Sequence, residues 1–210
     1  MKTTSSPSSR HPCGGFTLLE LVVVIAIAVL IFAMATPYTL SAIQAASLTA
    51  AGDSLVQKIS LAQQRAVTEN HPVGVDLYFY VKDGMKACHA MQLISYDPAT
   101  GETKTLEPPA FWSEGRAVLL DGTLSPMFTS TQSPSDAGEV KTQPFTDLEA
   151  TYKRILFYPN GTTNLHVPLR NAYVTLVSIR NFQEDLTTPP PNYYTVQVDP
   201  VTGRTRSYRP

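Results

Sequence analysis

An unbroken apolar run near the start of the chain constrains the fold more than any other feature. The run covers residues 16–35 and contains a single charged side chain, Glu20. A helix of about 20 residues is about 30 Å long, which matches the thickness of a bilayer core. The sequence therefore predicts a transmembrane helix over residues 16–36.

The carboxylate of Glu20 needs a physical reason to lie in this run. An acidic side chain costs about 2.5–3.5 kcal/mol at the centre of a bilayer and less near its surface. A polar leader, residues 1–15, ends in Gly14-Gly15 directly before Phe16. This register of leader, glycine, phenylalanine and glutamate resembles the leader of type IV prepilins and type II secretion pseudopilins.

That resemblance implies how the segment is processed and used. In the family, prepilin peptidase cuts after the glycine and methylates the new N-terminal residue, which here implies cleavage between Gly15 and Phe16 and N-methylation of Phe16. Glu20 would then meet the free amine of a neighbouring subunit, and pairing the two charges offsets the cost of burying either one. Pro37 lies where the family often carries a proline that kinks the long helix.

An ordinary signal peptide is the alternative interpretation of the same segment. Its apolar core would be residues 21–32, and Ala33-Met34-Ala35 would be its cleavage site. This alternative leaves the Gly14-Gly15 pair and Glu20 without a role.

Charge and cysteine content limit what remains after the leader is removed. Residues 1–15 include Lys2 and Arg10 and no acidic residue, so the mature chain would hold 14 basic and 17 acidic residues, a net charge of −3. This balance does not favour a general nucleic-acid binder. Cys13 would leave with the leader, and Cys88 alone cannot form an internal disulfide.

Residues 37–71 continue as an amphipathic helix. Apolar residues recur at helical spacing at Leu48, Leu55, Ile59, Ala62 and Ala66. The helix is expected to end near Asn70, because the residue before Pro72 is pushed out of the helical region.

Residues 72–210 read as one β-rich domain. Strands are predicted over residues 73–81, 91–96, 116–120, 154–158, 172–180 and 193–198. Residues 121–150, rich in Ser, Thr, Pro and Gly, are predicted to form a long, mobile surface loop. The predicted fold class is α+β and pilin-like, with a long N-terminal helix packed on a C-terminal antiparallel sheet.

Two short segments of this domain nearly repeat each other. Asp97-Pro98-Ala99-Thr100-Gly101 and Asp199-Pro200-Val201-Thr202-Gly203 both begin with Asp-Pro and end with glycine. This is common hairpin chemistry, which favours convergence over duplication.

A second resemblance covers parts of the β-rich domain. Residues 61–70 with 73–75, residues 155–162 with their Phe-x-Pro-x-Gly pattern, and the Gly-Arg-x-Arg pattern of residues 203–206 are similar to the GspH/FimT group of minor pseudopilins. The general layout also resembles the Verru_Chthon cassette protein D group of prepilin-like proteins. Proline clusters at Pro108-Pro109 and at residues 189–191 depart from the GspH/FimT pattern.

The sequence offers little catalytic or metal-binding chemistry. The four histidines, at positions 11, 71, 89 and 166, do not have the spacing of a helical zinc site. Cys88 and His89 are adjacent on a predicted hairpin, so their side chains should point to opposite faces. We expect no metal, no cofactor and no enzymatic activity.

Arginines near the C-terminus are the remaining candidate site. Arg204 and Arg206 are two residues apart on a predicted strand and share a face, and Arg209 follows. Some FimT-like minor pilins bind DNA through this tail, so the three arginines are candidate phosphate-binding residues. A charged edge strand that resists aggregation is the alternative.

The sequence thus predicts a minor pilin or pseudopilin with a single-pass anchor in the bacterial inner membrane and a periplasmic domain. Its expected partners are prepilin peptidase, other pilin or pseudopilin subunits and an inner-membrane assembly platform, in a type II secretion-like or type IV pilus-like filament. Two alternatives stay open: a DNA-uptake pilin, and a signal-anchored periplasmic domain of unrelated role.

Overall fold

The chain divides into two compact units between Ser41 and Ala42. The computed structural model describes residues 17–112, 117–128, 137–140, 144–183 and 186–210. Helix α1 (Leu18–Thr68) begins in the first unit and ends in the second.

Helix α1 starts and stops at recognisable caps. The backbone N–H of Glu20 donates to Oγ1 of Thr17 at 3.3 Å, which places Thr17 at the N-cap. At the other end Asn70 adopts a left-handed conformation with φ of 49°, and the N–H of His71 donates to the carbonyl of Ala66 at 3.3 Å. This is the hydrogen-bond pattern of a Schellman cap, and it confirms the predicted stop near Asn70.

No helix among the described residues combines the length and the hydropathy that crossing a membrane requires. The span expected over residues 16–36 starts before the first described residue and stays a prediction.

The second unit contains one antiparallel sheet. Its strands are β1 (Val73–Lys82), β2 (Met85–Tyr96), β3 (Thr103–Thr105), β4 (Ala110–Phe111), β5 (Ala117–Leu119), β6 (Ala137–Glu139), β7 (Thr151–Phe157), β8 (Tyr173–Ser178), β9 (Tyr193–Val198) and β10 (Thr205–Tyr208). The order across the sheet is β10-β9-β8-β5-β2-β1-β7-β6, and β3 and β4 also pair with β2.

The main core lies between the sheet and the second half of α1. The buried helix residues are Leu48, Ala51, Leu55, Ile59, Ala62 and Ala66. They contact alternate residues of the central strands, including Val75 and Leu77 on β1 and Ile155 on β7. The α+β class, with a helix packed on an antiparallel sheet, is therefore confirmed, and so is the apolar helix face.

The strand predictions are correct in place; β9 has the predicted bounds, and the other predicted strands differ in extent. Strand β2 begins at Met85 rather than residue 91, because its first half pairs closely with β1 although Ala87, Cys88 and His89 are weak strand signals. Strands β3, β4 and β6 contain two or three residues each, which is too short to show the alternating pattern that predicts a strand.

The predicted long surface loop over residues 121–150 needs correction. Its described parts contain short 3-10 helices at Gly122–Leu124, Pro126–Phe128 and Thr146–Leu148 as well as strand β6. Leu124, Met127, Phe128 and Phe145 are buried. These scattered apolar residues pack the segment against the sheet. The high content of Ser, Thr and Pro made the segment resemble a loop in the sequence. Residues 129–136 and 141–143 lie outside the described residues.

The face of the sheet opposite α1 is also packed. Phe145 stacks on Tyr78, with ring centroids 4.2 Å apart, and lies 6.0 Å from Tyr80. Here β1 and β7 bring together a buried ion pair: Nε and Nη2 of Arg154 donate to the two carboxylate oxygens of Asp76 at 2.6 and 2.7 Å. Nη1 of Arg154 also donates to Thr103 Oγ1 at 3.0 Å, so the guanidinium links three strands.

The ion pair yields a stability prediction. Asp76→Asn leaves the buried guanidinium of Arg154 without its carboxylate and should lower the free energy of unfolding by about 3–5 kcal/mol. Thermal unfolding of the full chain in detergent, followed by the fluorescence of the single, buried Trp112, measures the loss.

The matched control is Asp121→Asn, which removes the partly exposed pair that Asp121 forms with Lys153. Its expected cost is below about 1 kcal/mol. Equal losses in the two variants would contradict the role assigned to the buried pair.

Candidate functional site

The first described residues form a helix start that carries a negative charge. Thr17 caps the helix, and Glu20 lies in its first turn. A Thr-x-x-Glu sequence at this place has the form of a capping box, and a carboxylate in the first turn interacts favourably with the helix dipole. Glu20 is exposed, so its side chain is accessible to another molecule.

An apolar surface follows this turn directly. All the large apolar side chains from Leu18 to Phe32 are exposed, from 49% at Val23 to 82% at Leu18. A soluble protein rarely exposes apolar surface on this scale unless it binds a membrane or another protein.

The other predicted residues of this region are placed only in part. Gly15 and Phe16 lie outside the described residues, so the structure does not test the cleavage and methylation sites. Pro37 lies within helix α1.

The near-repeated segments at residues 97 and 199 form the same turn. The N–H of Asp97 donates to the carbonyl of Glu102 at 2.9 Å, and the N–H of Asp199 donates to that of Arg204 at 2.8 Å. Each aspartate also accepts a hydrogen bond at 2.9 Å from the backbone N–H two residues later. These backbone bonds are the main reason that the pKa of both aspartates lies below its usual value.

The two turns have different surroundings. A Cβ added to Gly101 would meet nothing within 4 Å, whereas one added to Gly203 would lie 3.0 Å from Gln63 Nε2 and 3.1 Å from the carbonyl oxygen of Gly161. The second turn therefore packs tightly on α1, and Gln63 Nε2 donates to the carbonyl of Thr202 at 2.8 Å.

Strand β9 approaches the helix closely at Gly52. A Cβ added to Gly52 would lie 2.4–2.5 Å from the ring of Tyr194. The hydroxyl of Tyr194 donates to Asp53 Oδ1 at 2.6 Å. Gly52 thus leaves the space that the aromatic ring fills, and Asp53 fixes the orientation of the ring.

The structure separates the three C-terminal arginines. Arg204 and Arg206 line one cavity of about 120 Å³, together with Leu169, Gln197, Asp199 and Thr202. Arg209 instead lies on helix α1, where it donates to Thr49 Oγ1 and, at 3.3 Å, to the carbonyl of Ala45.

Cys88 and His89 face opposite sides of the sheet, as expected. Cys88 belongs to the core beneath α1, whereas the His89 ring lies 4.8 Å from that of Tyr80 on the other face. Burial raises the pKa of the Cys88 thiol and lowers that of His89. Among the described residues, no three His, Cys, Asp or Glu side chains are grouped as a metal site requires.

Comparison with known proteins addresses the N-terminal segment. Residues 10–36 match the family described as the prokaryotic N-terminal methylation motif. This segment of the chain is prepilin-like. The match covers the glycine pair, Phe16, Glu20 and the apolar run on which the first resemblance rests.

Two solved structures are similar to the chain at low identity. The minor pseudopilin EpsH from the type 2 secretion system of Vibrio cholerae has 10% identity and a TM-score of 0.43, over 78% of this chain and 98% of that one. The type IV minor pilin FimU of Pseudomonas aeruginosa has 13% identity and a TM-score of 0.40, over 78% and 92%. No curated protein sequence matches the chain.

The sequence-based predictions above leave out two features of the chain. The Thr17-x-x-Glu20 capping box is visible in the sequence and gives Glu20 a position at the start of the helix in addition to its charge. Gly52 lies inside a helical pattern, where glycine costs about 1 kcal/mol of helix stability relative to alanine. A glycine kept at such a position indicates that another element packs closely against it.

Gly52→Ala provides a test of that packing. The added methyl group would displace the Tyr194 ring, and overpacking of this kind costs about 1–3 kcal/mol. This outweighs the gain in helix propensity of about 1 kcal/mol, so the unfolding temperature of the full chain in detergent should fall.

The same substitution made in a Tyr194→Ala background is the control. With the ring removed, the propensity gain remains and Gly52→Ala should become stabilising. If Gly52→Ala stabilises the protein in both backgrounds, the close packing of β9 on the helix is not what requires glycine.

Proposed function

We propose that the chain is a minor pilin or pseudopilin, processed by prepilin peptidase and assembled into a type II secretion-like or type IV pilus-like periplasmic filament. The match of residues 10–36 to the N-terminal methylation motif carries this proposal. Cleavage after Gly15 and methylation of Phe16 are the processing steps that it implies.

The exposed apolar side chains of α1 support an assembly role. Before assembly the sequence run of residues 16–35 would hold the chain in the inner membrane as a single-pass anchor, with residues 42–210 in the periplasm. In a filament the same side chains would pack against the helices of neighbouring subunits. The role proposed is that of a structural subunit and not of an enzyme, and its partners are the peptidase, other subunits and the inner-membrane assembly platform.

Glu20 supplies the specificity of this packing. Apolar helices associate in many registers, but a carboxylate moved into an apolar environment needs an opposite charge at a fixed position. The amine of Phe16 that cleavage creates on a neighbouring subunit would provide it. Glu20 would then set the axial position of one subunit against the next.

The mature N-terminus decides between this function and a secreted domain. In membranes that contain the cognate prepilin peptidase, we expect intact mass and peptide sequencing to find methylated Phe16. An N-terminus at Thr36 would mean signal-peptide cleavage after Ala35 and would exclude the filament role.

Charge removal at Glu20 tests the assembly step. Glu20→Val should leave membrane insertion intact, because it makes the run more apolar, and should abolish recovery of the chain in sheared filaments. Immunoblots of the membrane and sheared fractions, with the cognate assembly system present, measure both.

Glu69→Val is the matched control, because it removes an exposed carboxylate from the residue that directly follows the C-terminal end of α1. It should assemble like the wild type. Filament recovery of Glu20→Val equal to that of Glu69→Val would count against the charge pair.

A further inference from the structure

The cavity beside the β9–β10 turn has an unusual charge arrangement. Arg204 and Arg206 are exposed, and neither guanidinium has a hydrogen bond or a salt bridge to another described residue. Arg154 and Arg209, in contrast, donate to Asp76 and to helix α1. Two arginines without a direct partner among the described residues therefore line one small cavity.

Among the described residues that line this cavity, Asp199 is the one that is acidic. Its Oδ1 atom already accepts hydrogen bonds from the backbone N–H groups of Val201 and Thr202, at 2.9 and 3.3 Å. The positive charge of Arg206 also helps, after these backbone bonds, to keep the pKa of Asp199 low. The cavity thus holds two positive charges and one negative charge, an excess of one that a single carboxylate would balance.

Exposed apolar and aromatic side chains occur on the cavity wall, on the turn and on β10. Leu169 on the wall is 48% exposed, Val201 on the turn is 71% exposed, and Tyr208 on β10 is 50% exposed. The hydroxyl of Tyr208 donates to Gln197 Oε1 at 3.3 Å, which holds this ring at the cavity. Arginine and tyrosine beside exposed aliphatic groups are typical of protein-binding surfaces.

The same observations argue against a nucleic acid as the occupant. A DNA backbone presents a row of phosphates and is bound by several cations without acidic neighbours. Here the side chain of Arg209 lies on helix α1, so among the described residues only Arg204 and Arg206 offer positive charge at the cavity, too few to follow a row of phosphates. Exposed Leu169 and Val201 would gain nothing from a phosphate row.

We propose that Leu169, Gln197, Val201, Arg204, Arg206 and Tyr208 form a docking surface, the hairpin pocket, for an acidic segment of another protein. One carboxylate side chain of that segment accepts hydrogen bonds from Arg204 and Arg206. Its apolar neighbours pack on Leu169, Val201 and Tyr208. The proposal does not depend on N-terminal processing or filament assembly, because it concerns binding by the folded second unit.

Fluorescence anisotropy with a short fluorescein-labelled peptide of alternating glutamate and valine tests the hairpin pocket. The full chain in detergent is titrated against this peptide and against its counterpart with glutamine in place of glutamate. The glutamate peptide should bind about tenfold more tightly or better, because only its carboxylates can accept charge-assisted hydrogen bonds from the two guanidinium groups.

Substitutions locate the binding site. Arg204→Gln and Arg206→Gln should each weaken binding of the glutamate peptide about tenfold, and Val201→Ser should weaken both peptides. Arg170→Gln is the matched control, because Arg170 follows Leu169 and is exposed but does not line the cavity. This substitution should change the affinity by less than about twofold, as expected for a screened surface charge.

Three results would overturn the proposal. One is no binding, or equal binding of the glutamate and glutamine peptides. Another is an equal loss in Arg170→Gln and in the pocket variants. The third is preferential, salt-sensitive binding of a mixed-sequence DNA duplex that all three arginine substitutions weaken, which would assign the surface to phosphates. Unchanged thermal unfolding of each variant keeps these outcomes separate from misfolding.

Discussion

Packing of one face of helix α1 on the sheet is the contact on which the second unit depends. Leu48, Leu55 and Ile59 are fully buried, and burying a side chain of this size contributes about 1.5–3 kcal/mol. The alanines at positions 51, 62 and 66 bring the backbone of the helix near the strands. The helix and the sheet each supply half of the same core, so neither would retain its shape without the other.

This packing also determines where the C-terminal residues lie. Gly52 admits the ring of Tyr194, and Gln63 bonds to the turn that follows β9. The hairpin is therefore held on the helix along its length. Side chains of the β9–β10 hairpin that face α1 pack against the helix. Those that face away remain accessible to a partner.

Much of the fold could be predicted because it rests on periodic patterns. The apolar face of α1 repeats every three or four residues, and the strand β9 was predicted with the bounds observed. What could not be predicted depends on contacts distant in sequence. The first half of β2 is a strand because β1 pairs with it, and Phe145 is buried because the rings of Tyr78 and Tyr80 lie beneath it.

The candidate sites show the same division between local patterns and docking. Glu20 and the glycine-ended leader form a contiguous pattern that can be recognised from the sequence alone. Strand alternation predicts that Arg204 and Arg206 share a face; both line one cavity, although β10 begins only at Thr205. Arg209 lies beyond β10, which ends at Tyr208, and its side chain contacts the helix.

The paired turns show how one backbone geometry serves two purposes. Asp-Pro-x-Thr-Gly fixes the same hydrogen bonds at residues 97 and 199, with a glycine at φ of 73° and 67°. The residue after each glycine is free to vary, and it is Glu102 in one turn and Arg204 in the other. Because the backbone bonds hold the turn, the charge at this position can change without loss of the fold. The second turn is packed against the helix, and its variable residue Arg204 lines a cavity with Arg206, so the charge at this position belongs to the surface proposed to bind an acidic segment.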